Sequence, residues 1–387
     1  MKDTFIASLA LTEEQQQIVE AAQEVGLGEL KPRAQEIDES AQFPTESVEQ
    51  LSELGFMGIL IPEKYDGMGL DMLSYALVVE ELSYHCASTA LVLCVHNSVG
   101  ANPIAYFGSD EQKEEYLPKL ASGELIGAFA LTEPNYGSDA GGVQGTAKLD
   151  GDEYVLNGRK MFITNAKQAG LFIVVLSTDK DKGSRGLSAF IVPADTPGLT
   201  VGRKEDKMGM RGSETNEVIL EDARIPAKLL LGKEGQGFKV AMVTLDGGRI
   251  GIGAQANGIA RAALDEARKH AKDRVQFGKP IGEFEAIQWK LADMATNLTA
   301  ARHLVCDAAR RKDRGISFSK EAAMAKLFAT EKCNDIVRDA VQIFGGYGYT
   351  KEYPVERLFR DAKVTEIYEG TSEMQRLVIA RHLLKED

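Results

Sequence analysis

The chain has 387 residues, a length that the usual size of domains divides into roughly two or three. Its hydrophobic content of 44% and charged content of 27% are ordinary for a globular protein with a large core. The formal net charge of −13 argues against a nucleic acid as the main ligand, because nucleic-acid binders need clustered positive charge.

Cysteine and histidine usage predicts neither disulfides nor a metal site. Cys86, Cys94, Cys306 and Cys333 form no CxxC pair and lie in apolar, helix-like surroundings, so we expect reduced core residues in a reducing compartment. The five histidines are scattered, with no HExxH and no His/Cys cluster. No apolar run approaches the ~20 residues that span a bilayer, and residues 1–3 lead almost directly into a helix. We therefore expect neither a membrane span nor a targeting peptide.

The first third of the chain has helical periodicity. A capping box at 12–15 begins one helix, and a second runs from about residue 45 to residue 55. Two further helices, 73–84 and 88–107, are apolar nearly all round, which predicts a position in the centre of a bundle. We predict an N-terminal all-α domain over residues 1–125.

The pattern changes to a period of two near Ile126, and residues 126–235 are predicted to form an antiparallel β-barrel or sandwich. The dipeptides Asp150-Gly151 and Asn157-Gly158 each predict a tight hairpin, since they tolerate the positive φ that such turns need. The predicted strands are 145–149, 154–156, 160–164, 171–177, 187–192 and 217–220.

Helical periodicity returns for residues 236–387, which we predict to form an up-down four-helix bundle. The fold class is therefore multidomain α+β, in the order helical, β, helical. The predicted helices of the last part are 238–246, 253–274, 284–313, 320–344 and 372–384.

Three glycine-rich stretches invite a dinucleotide-binding interpretation: 232–237, 247–258 and 345–348. None is a GxGxxG between a strand and a helix of a βαβ unit, which argues against a nicotinamide site. The helical glycines between 251 and 258 are better explained by close approach of a neighbouring helix or a ligand. Gly345 and Gly346 end a helix and expose backbone amides.

Glu369 is the candidate for acid–base chemistry. It follows an apolar pair and precedes Gly370, so its carboxylate can occupy a dry pocket, where its pKa would rise and it could act as a base on carbon. Locally, a solvated loop acid or a cap for the next helix explains the same residues equally well.

Several stretches together resemble the acyl-CoA dehydrogenase family, and its short-chain (butyryl-CoA) branch most closely. The resemblance covers nearly the whole chain, and the order of the stretches makes it specific. They are 129–134 with 137–139, then 160–165, 274–278, 342–349 and 368–373.

This resemblance implies an FAD enzyme that converts an acyl-CoA thioester to a trans-2-enoyl-CoA. In the family a Glu placed as Glu369 removes the α-proton while hydride passes from Cβ to flavin N5. The base residue's own backbone N–H and a ribityl hydroxyl stabilise the enolate oxygen. Gly370 leaves room for the thioester. A related subgroup carries its base at the position of Gly248, which has no side chain here.

The resemblance also assigns flavin contacts within one subunit. Thr132 and Thr164 would bond to the ring, Ser138 would lie near phosphate, and Phe162 would shield the ring's outer face, where relatives often have Trp. An ordinary strand role is the alternative for the two threonines. The complete set implied is Phe129, Leu131, Thr132, Gly137, Ser138, Phe162, Ile163, Thr164, Thr371, Ser372 and Glu373.

Other positions would reach the FAD of a neighbouring subunit, which implies at least a dimer and, for this family, a homotetramer built as a dimer of dimers. Relatives usually have Gln at the position of Glu285, and an acid beside a pyrophosphate is unfavourable. The positions are Arg274, Phe277, Glu285, Gln342, Gly345 and Gly346.

The substrate contacts implied lie mainly on one predicted helix. Asp246 and Arg249 match positions that hold the CoA moiety and thioester, with a surface ion pair as the alternative. Phe238, Met242 and Leu245 would line the acyl channel, and at i, i+4 and i+7 they are equally compatible with plain core. Ser138 and Gly370 complete the substrate set.

Several points stay open at this stage. Butyryl-CoA is the first-choice substrate, before 2-methyl-branched short acyl groups and then medium or cyclic ones. An acyl-CoA oxidase-like flavoprotein and a non-enzymatic DNA-binding relative are the competing classes. Electron-transferring flavoprotein is the partner that the resemblance implies, and we expect a bacterial cytoplasmic location ahead of a mature mitochondrial form. The depth of the acyl pocket, which we expect to depend on residues 90–103, is not determined. The direction of the reaction is not determined either.

Overall fold

The computed structural model describes residues 4–385, so residues 1–3, predicted to lead into a helix, and residues 386–387 lie outside the described residues. The elements follow the predicted order of helices, strands and helices. The helices of the first part are α1 Thr4–Ser8, α2 Glu13–Val25, α3 Lys31–Ser40, α4 Thr45–Glu53, α5 Met72–His85, α6 Ala87–Val95, α7 Asn102–Phe107 and α8 Asp110–Ala121.

Helices α5 and α6 form the centre of the first part, as their all-round apolar composition predicts. Nearly every residue of both helices is buried. The predicted single helix 88–107 is instead α6 and α7 joined by a π-helical turn, His96–Ala101. A π-turn shifts the direction of the side chains that follow it.

His96 joins this helical centre to the sheet. Its Nδ1 accepts from the backbone N–H of Gly127 and its Nε2 lies 3.0 Å from the Leu120 carbonyl oxygen. Since Nδ1 accepts, the neutral ring carries its proton on Nε2 and donates to Leu120. Burial lowers the pKa of His96 to about 4, so the ring stays neutral and holds the start of the sheet at physiological pH.

The middle part is a twisted sheet whose strand order is β6-β7-β3-β2-β4-β5-β8, with β1 beside β4. Most pairs are antiparallel, whereas β1 runs parallel to β4. The strands are β1 Ile126–Ala130, β2 Thr146–Asp150, β3 Glu153–Thr164, β4 Ala169–Ser177, β5 Leu187–Pro193, β6 Leu199–Lys204, β7 Thr215–Pro226 and β8 Leu230–Leu231.

One of the two predicted hairpins is wrong. Gly151 has positive φ and joins β2 to β3 as expected. Asn157 and Gly158 instead lie inside the continuous strand β3, where the register against β7 shifts at Gly158. The Asn157 side chain bonds Asp222 across the sheet, so the dipeptide marks a β-bulge and not a turn.

The last part is helical and is organised around α9, a single helix of 37 residues where the periodicity predicts two. It packs against α5, α10 and α11, and a short hairpin of β9 Val275–Gln276 and β10 Lys279–Pro280 follows it. The helices are α9 Gly237–Asp273, α10 Glu285–Asp313, α11 Ser319–Phe344, α12 Val355–Lys363 and α13 Ser372–Leu383. Among residues 4–385, no helix combines the length and apolarity that crossing a bilayer requires.

Glycines on α9 allow its neighbours to approach closely. A Cβ on Gly251 would lie 2.7 Å from the Tyr75 hydroxyl of α5, and one on Gly253 would lie 2.9 Å from Val305 of α10. A Cβ on Gly258 would overlap the Glu80 carbonyl oxygen of α5. The close-approach interpretation of these glycines is therefore confirmed, and α9 is fixed on both sides near its middle.

We expect Gly258→Ala to destabilise the fold by about 1–3 kcal/mol, because the added methyl group forces α9 away from the backbone of α5. Gly28→Ala is the matched control, since a Cβ there meets nothing within 4 Å. Thermal unfolding of both variants measures the difference. Equal melting temperatures would contradict the tight α5–α9 contact.

Candidate active site

Glu369 lies in the short connection between a 3-10 turn at Val364–Glu366 and helix α13. Its φ of +51° and that of +96° at Gly370 are both in the left-handed region, which Gly tolerates and Glu rarely adopts. This unusual backbone turns the side chain inward. Although the residue as a whole is only partly buried, both carboxylate oxygens are buried and find no hydrogen-bond partner among the described residues.

The carboxylate rests directly on α9 at Gly248. A Cβ added to Gly248 would collide with Oε2 of Glu369, and it would lie 3.3 Å from Oε1. Any other residue at 248 would therefore displace the carboxylate. Thr371, not Glu369, caps α13, its hydroxyl accepting from the Met374 N–H. Both local alternatives for Glu369, a solvated loop acid and a helix cap, are wrong.

Burial sets the proton affinity of this carboxylate. Loss of water raises the pKa of Glu369 to about 7, and the positive charges of Lys326 and Arg249 oppose part of that rise. Burial likewise raises the pKa of the Tyr75 hydroxyl and of the Cys94 thiol nearby, so both keep their protons. Glu369 is therefore a carboxylate that can accept a proton near neutral pH.

The connection that carries Glu369 is held from two sides. The Gly370 carbonyl oxygen accepts from Lys326 Nζ and from Gln375 Nε2, each at 2.8 Å. The Tyr368 hydroxyl donates to Gln255 Oε1 on α9. These contacts tie the turn to α11, α13 and α9, so the carboxylate is fixed by three helices.

The predicted substrate residues share α9 with Gly248. Asp246 and Arg249 form an ion pair, as the alternative interpretation expects, but Arg249 is only 7% exposed, so the pair is not a surface one. Burial raises the pKa of the Asp246 carboxyl and lowers that of Arg249. Three half-buried side chains continue along the helix toward its N-terminus and pack on the core of the sheet: Leu245, Met242 and Phe238.

The two β-domain segments predicted to contact FAD lie side by side. The Met161 N–H donates to the Thr132 carbonyl at 2.8 Å. Beneath them, the buried ammonium of Lys160 donates to the Leu131 carbonyl at 3.1 Å and to the Glu133 carboxylate at 2.9 Å. The Glu133–Lys160 pair therefore joins the segments, a role that the sequence did not reveal.

The side chains of these segments point in two directions. Phe162 has a φ of +59° at a break in the β3 register, and its ring is 62% exposed. Leu131 and Ile163 are buried in the core of the sheet, so only their backbone is available to a ligand. The remaining predicted contacts are half-buried or exposed: Phe129, Thr132, Thr164, Gly137 and Ser138.

The positions predicted to reach a neighbouring subunit form a separate surface. A groove of about 510 Å³ contains Arg274, Gly345 and Gly346 in its wall, and the Arg274 guanidinium lies 5.4 Å from the centre of the Tyr347 ring. Gln342 and Glu285 are also exposed. Phe277, at the tip of the β9–β10 hairpin, is 95% exposed. No residue of the Glu369 pocket lines this groove.

The residues present fit an FAD molecule. The ring end would need an exposed aromatic surface and polar side chains, and Phe162, Thr132 and Thr164 supply them near the ends of β1 and β3. Ser372 at the start of α13 has a buried hydroxyl without a partner among residues 4–385. Glu373, beside it, is exposed.

A metal site is not formed within the described chain, because no three His, Cys, Asp or Glu side chains are grouped there as metal ligands would be.

The sequence did not identify four residues that lie around Glu369: Lys326, Gln375, Tyr75 and Cys94. Of these, only Lys326 has a sequence pattern that could have indicated its role. It lies on the face of α11 that carries the buried Ala322, Ala325 and Ala329, where a lysine is unexpected unless it has a partner. The others are ordinary for their helices.

Sequence models of the acyl-CoA dehydrogenase N-terminal, middle and C-terminal domains match residues 12–124, 128–223 and 235–384. The chain is 49% identical to a short-chain specific acyl-CoA dehydrogenase of Clostridium acetobutylicum, over 97% of this chain and 99% of the relative.

Two solved structures are also similar. Butyryl-CoA dehydrogenase from Megasphaera elsdenii superimposes with a TM-score of 0.96 at 48% identity, covering 98% of this chain and all of that one. A chain from a structure described as the electron transferring flavoprotein of Acidaminococcus fermentans gives 0.96 at 50% identity, with the same coverage.

The fold and the matches define a three-part flavoprotein oxidoreductase with a central β-sheet. Within that class, the chain belongs to the acyl-CoA dehydrogenase family. The predicted family, fold class, cofactor FAD and enzyme class are confirmed. The boundaries at 125/126 and 235/236 stay predictions, as do the roles of individual site residues.

We expect Gly248→Ala to retain FAD but to lower the rate of flavin reduction by butyryl-CoA at least ~100-fold, because a displacement of about 1 Å is enough for such a loss. Gly247→Ala is the control on the same helix. Its Cβ would lie 3.2 Å from the Lys312 ammonium, the mobile end of a long side chain. Anaerobic stopped-flow absorbance measures both, and similar rates in the two variants would contradict the contact between Gly248 and the base.

Proposed function

We propose that this chain dehydrogenates a short-chain acyl-CoA between Cα and Cβ to the trans-2-enoyl-CoA, with Glu369 as the base that removes the α-proton. The observation that carries the proposal is the buried Glu369 carboxylate, which finds no hydrogen-bond partner in the described part of the chain and whose pKa burial raises to about 7. A carboxylate already bonded to a donor would be a weaker base, whereas this one has both oxygens free for a proton.

Water exclusion serves two steps of this reaction. It gives Glu369 the proton affinity that abstraction from carbon requires, and it strengthens hydrogen bonds to the oxygen of the thioester as negative charge develops there. The backbone N–H of Glu369 donates no hydrogen bond within residues 4–385 and is therefore available to that oxygen. Gly370 leaves the thioester room beside it.

Helix α9 would set the orientation in which the acyl-CoA binds. Asp246 and Arg249 flank Gly248, so the polar CoA arm would lie along the ion pair while the thioester lies against the glycine. Phe238, Met242 and Leu245 would line the acyl channel, and Ser138 would contact the CoA from the β domain. The burial of Arg249 supports a ligand role, since a guanidinium with an unsatisfied Nε benefits from an acceptor.

FAD, when bound, supplies the two-electron acceptor for this dehydrogenation. The ring would lie against Phe129 to Ser138 and Phe162 to Thr164, with Thr371 to Glu373 closing the site from α13. Phe162 would cover the face away from the substrate. These are the same segments that the Glu133–Lys160 pair and the cap of α13 hold in place.

The exposed groove supports assembly into a homotetramer. The FAD of a neighbouring subunit would meet Arg274, Phe277, Gln342, Gly345 and Gly346, because all five are exposed and they offer a guanidinium, an aromatic ring, an amide and accessible backbone. Glu285 would lie at the same boundary. It is exposed at the first turn of α10, where a carboxylate is favourable for the helix but unfavourable beside a pyrophosphate.

We propose electron-transferring flavoprotein as the acceptor of the electrons. One of the similar solved structures is described as the electron transferring flavoprotein of Acidaminococcus fermentans, which supports this proposal. We place the protein in the bacterial cytoplasm, since all four cysteines are buried and unpaired, as a reducing compartment favours. Both proposals extend the family membership and are open to direct test.

We expect Glu369→Gln to keep FAD and acyl-CoA binding while flavin reduction falls by about four orders of magnitude or more, because the amide cannot accept the α-proton. Glu331→Gln is the control, as its carboxylate contacts α13 through Arg376 without facing the pocket. Titration of the flavin absorbance with butyryl-CoA separates binding from reduction. Turnover of Glu369→Gln near that of the unmodified enzyme would remove Glu369 from the mechanism.

A panel of acyl-CoAs from four to twelve carbons, with 2-methyl-branched members, tests the substrate. We expect the highest kcat/KM for butyryl-CoA, then short branched chains. Admitting air after anaerobic reduction completes the experiment. Reoxidation within seconds would favour an oxidase, and a clear preference for long chains would contradict the short-chain assignment.

A further inference from the structure

Lys326 is a fully buried lysine that contacts no carboxylate within residues 4–385. Its exposure is 0%, and among the described residues no ion pair within 4.0 Å involves its ammonium. Lys160, also fully buried, shows the usual solution, with Glu133 at 2.9 Å. Burial lowers the pKa of Lys326 to about 8, so the ammonium is charged at pH 7 despite the missing contact.

What Lys326 does contact is the turn that carries Glu369. Its Nζ donates to the Gly370 carbonyl oxygen at 2.8 Å. Glu369 has a positive φ that residues with a side chain rarely adopt, so this turn is strained and persists only if its surroundings hold it. The same oxygen also accepts from Gln375 Nε2 at 2.8 Å, so one neutral donor and one charged donor share the task.

The charges near Lys326 identify its electrostatic partner. Glu369 is the largest influence that favours its protonated form, ahead of Glu366 and Glu373, while Arg249 opposes it. Glu366 is ion-paired with Lys363, and Glu373 is exposed to solvent. Glu369 therefore supplies, without contact, the buried negative charge that compensates the ammonium of Lys326.

The other groups that face Glu369 do not replace Lys326. Arg249 on α9 is already paired with Asp246, so much of its charge is compensated. Tyr75 on α5 and Cys94 on α6 keep their protons and are neutral. Lys326 on α11 is thus the cation whose field on the carboxylate is least cancelled by a contacting acid.

We propose that Lys326 is a positioning residue for Glu369: its ammonium holds the Gly370 carbonyl and so fixes the strained turn, while its charge keeps the separated carboxylate ionised for substrate. This inference rests on the role of Glu369 as base. It assigns two separable effects to one side chain, a contact effect shared with Gln375 and a charge effect that Gln375 does not have.

The pair of variants Lys326→Met and Gln375→Leu separates the two effects, since each removes one 2.8 Å donor from the Gly370 carbonyl and only the first removes a charge. The measurement is kcat/KM for butyryl-CoA against pH, which reports the free enzyme's base. In the unmodified enzyme we expect kcat/KM to rise with pH through a midpoint near 7, where Glu369 loses its proton.

Lys326→Met should move that midpoint upward by about one pH unit or more, because an opposite charge nearby favours the ionised carboxylate. Gln375→Leu should lower the plateau rate and leave the midpoint unchanged, and Lys326→Arg should restore the midpoint. An unmoved midpoint in Lys326→Met would overturn the proposal, as would an equal shift in both variants. If Lys326→Met gives no folded holoenzyme, Lys326→Gln tests the charge alone with the same expected shift.

Thermal unfolding at pH 7.5 gives a readout that does not depend on turnover. We expect Lys326→Met to lower Tm less in a Glu369→Gln background than in the unmodified chain, because the lysine has then lost its distant counter-charge. Equal losses in the two backgrounds would contradict the coupling. An active Glu369→Gln variant would instead defeat the proposed function, so the two failures are distinguishable.

Discussion

The site depends on one constraint: a buried carboxylate, with no hydrogen-bond partner in the chain that the structure describes, is held against the backbone of a helix. Glu369 meets α9 at a glycine, and its removal from water raises its pKa to about 7. Several unfavourable features follow from this requirement. The turn places Glu369 at a positive φ, and its two buried oxygens have no partner among residues 4–385. Such features cluster at functional sites because stability alone would select against them.

Lys160 and Lys326 are both fully buried, but their charges are compensated in different ways. Lys160 contacts Glu133 and two backbone carbonyls, which makes a tight pair that joins two segments of the β domain. A contact of that kind would lower the pKa of a base so far that it could no longer take a proton from carbon. Lys326 does not contact the Glu369 carboxylate. Its charge favours the ionised carboxylate, and the carboxylate oxygens stay free to accept a proton.

The sequence alone predicted the order of the three parts, the central position of α5 and α6, and Glu369 as the candidate base, whereas its contact with Gly248 emerged only from the structure. These depend on local periodicity and on contiguous motifs. It did not predict the π-turn, the continuous α9 or the bulge at Gly158, because the same dipeptide suits a turn and a bulge and only strand pairing decides. Lys326 was missed for another reason. It is 44 residues from Gly370, and no motif connects the two.

Helix α9 has a consequence for recombination between relatives. Its 37 residues extend over about 55 Å, from Gly237 past Gly248, which meets the Glu369 carboxylate, to the last residue before Arg274. It therefore belongs to the Glu369 pocket near one end and reaches the groove lined by Arg274 at the other. A chimera joined within this helix would combine the pocket end of one relative's helix with the groove end of another's. Breakpoints that keep the helix whole lie in the loop before Gly237 or beyond the β9–β10 hairpin, and the first of these also keeps α9 with Glu369 and Lys326.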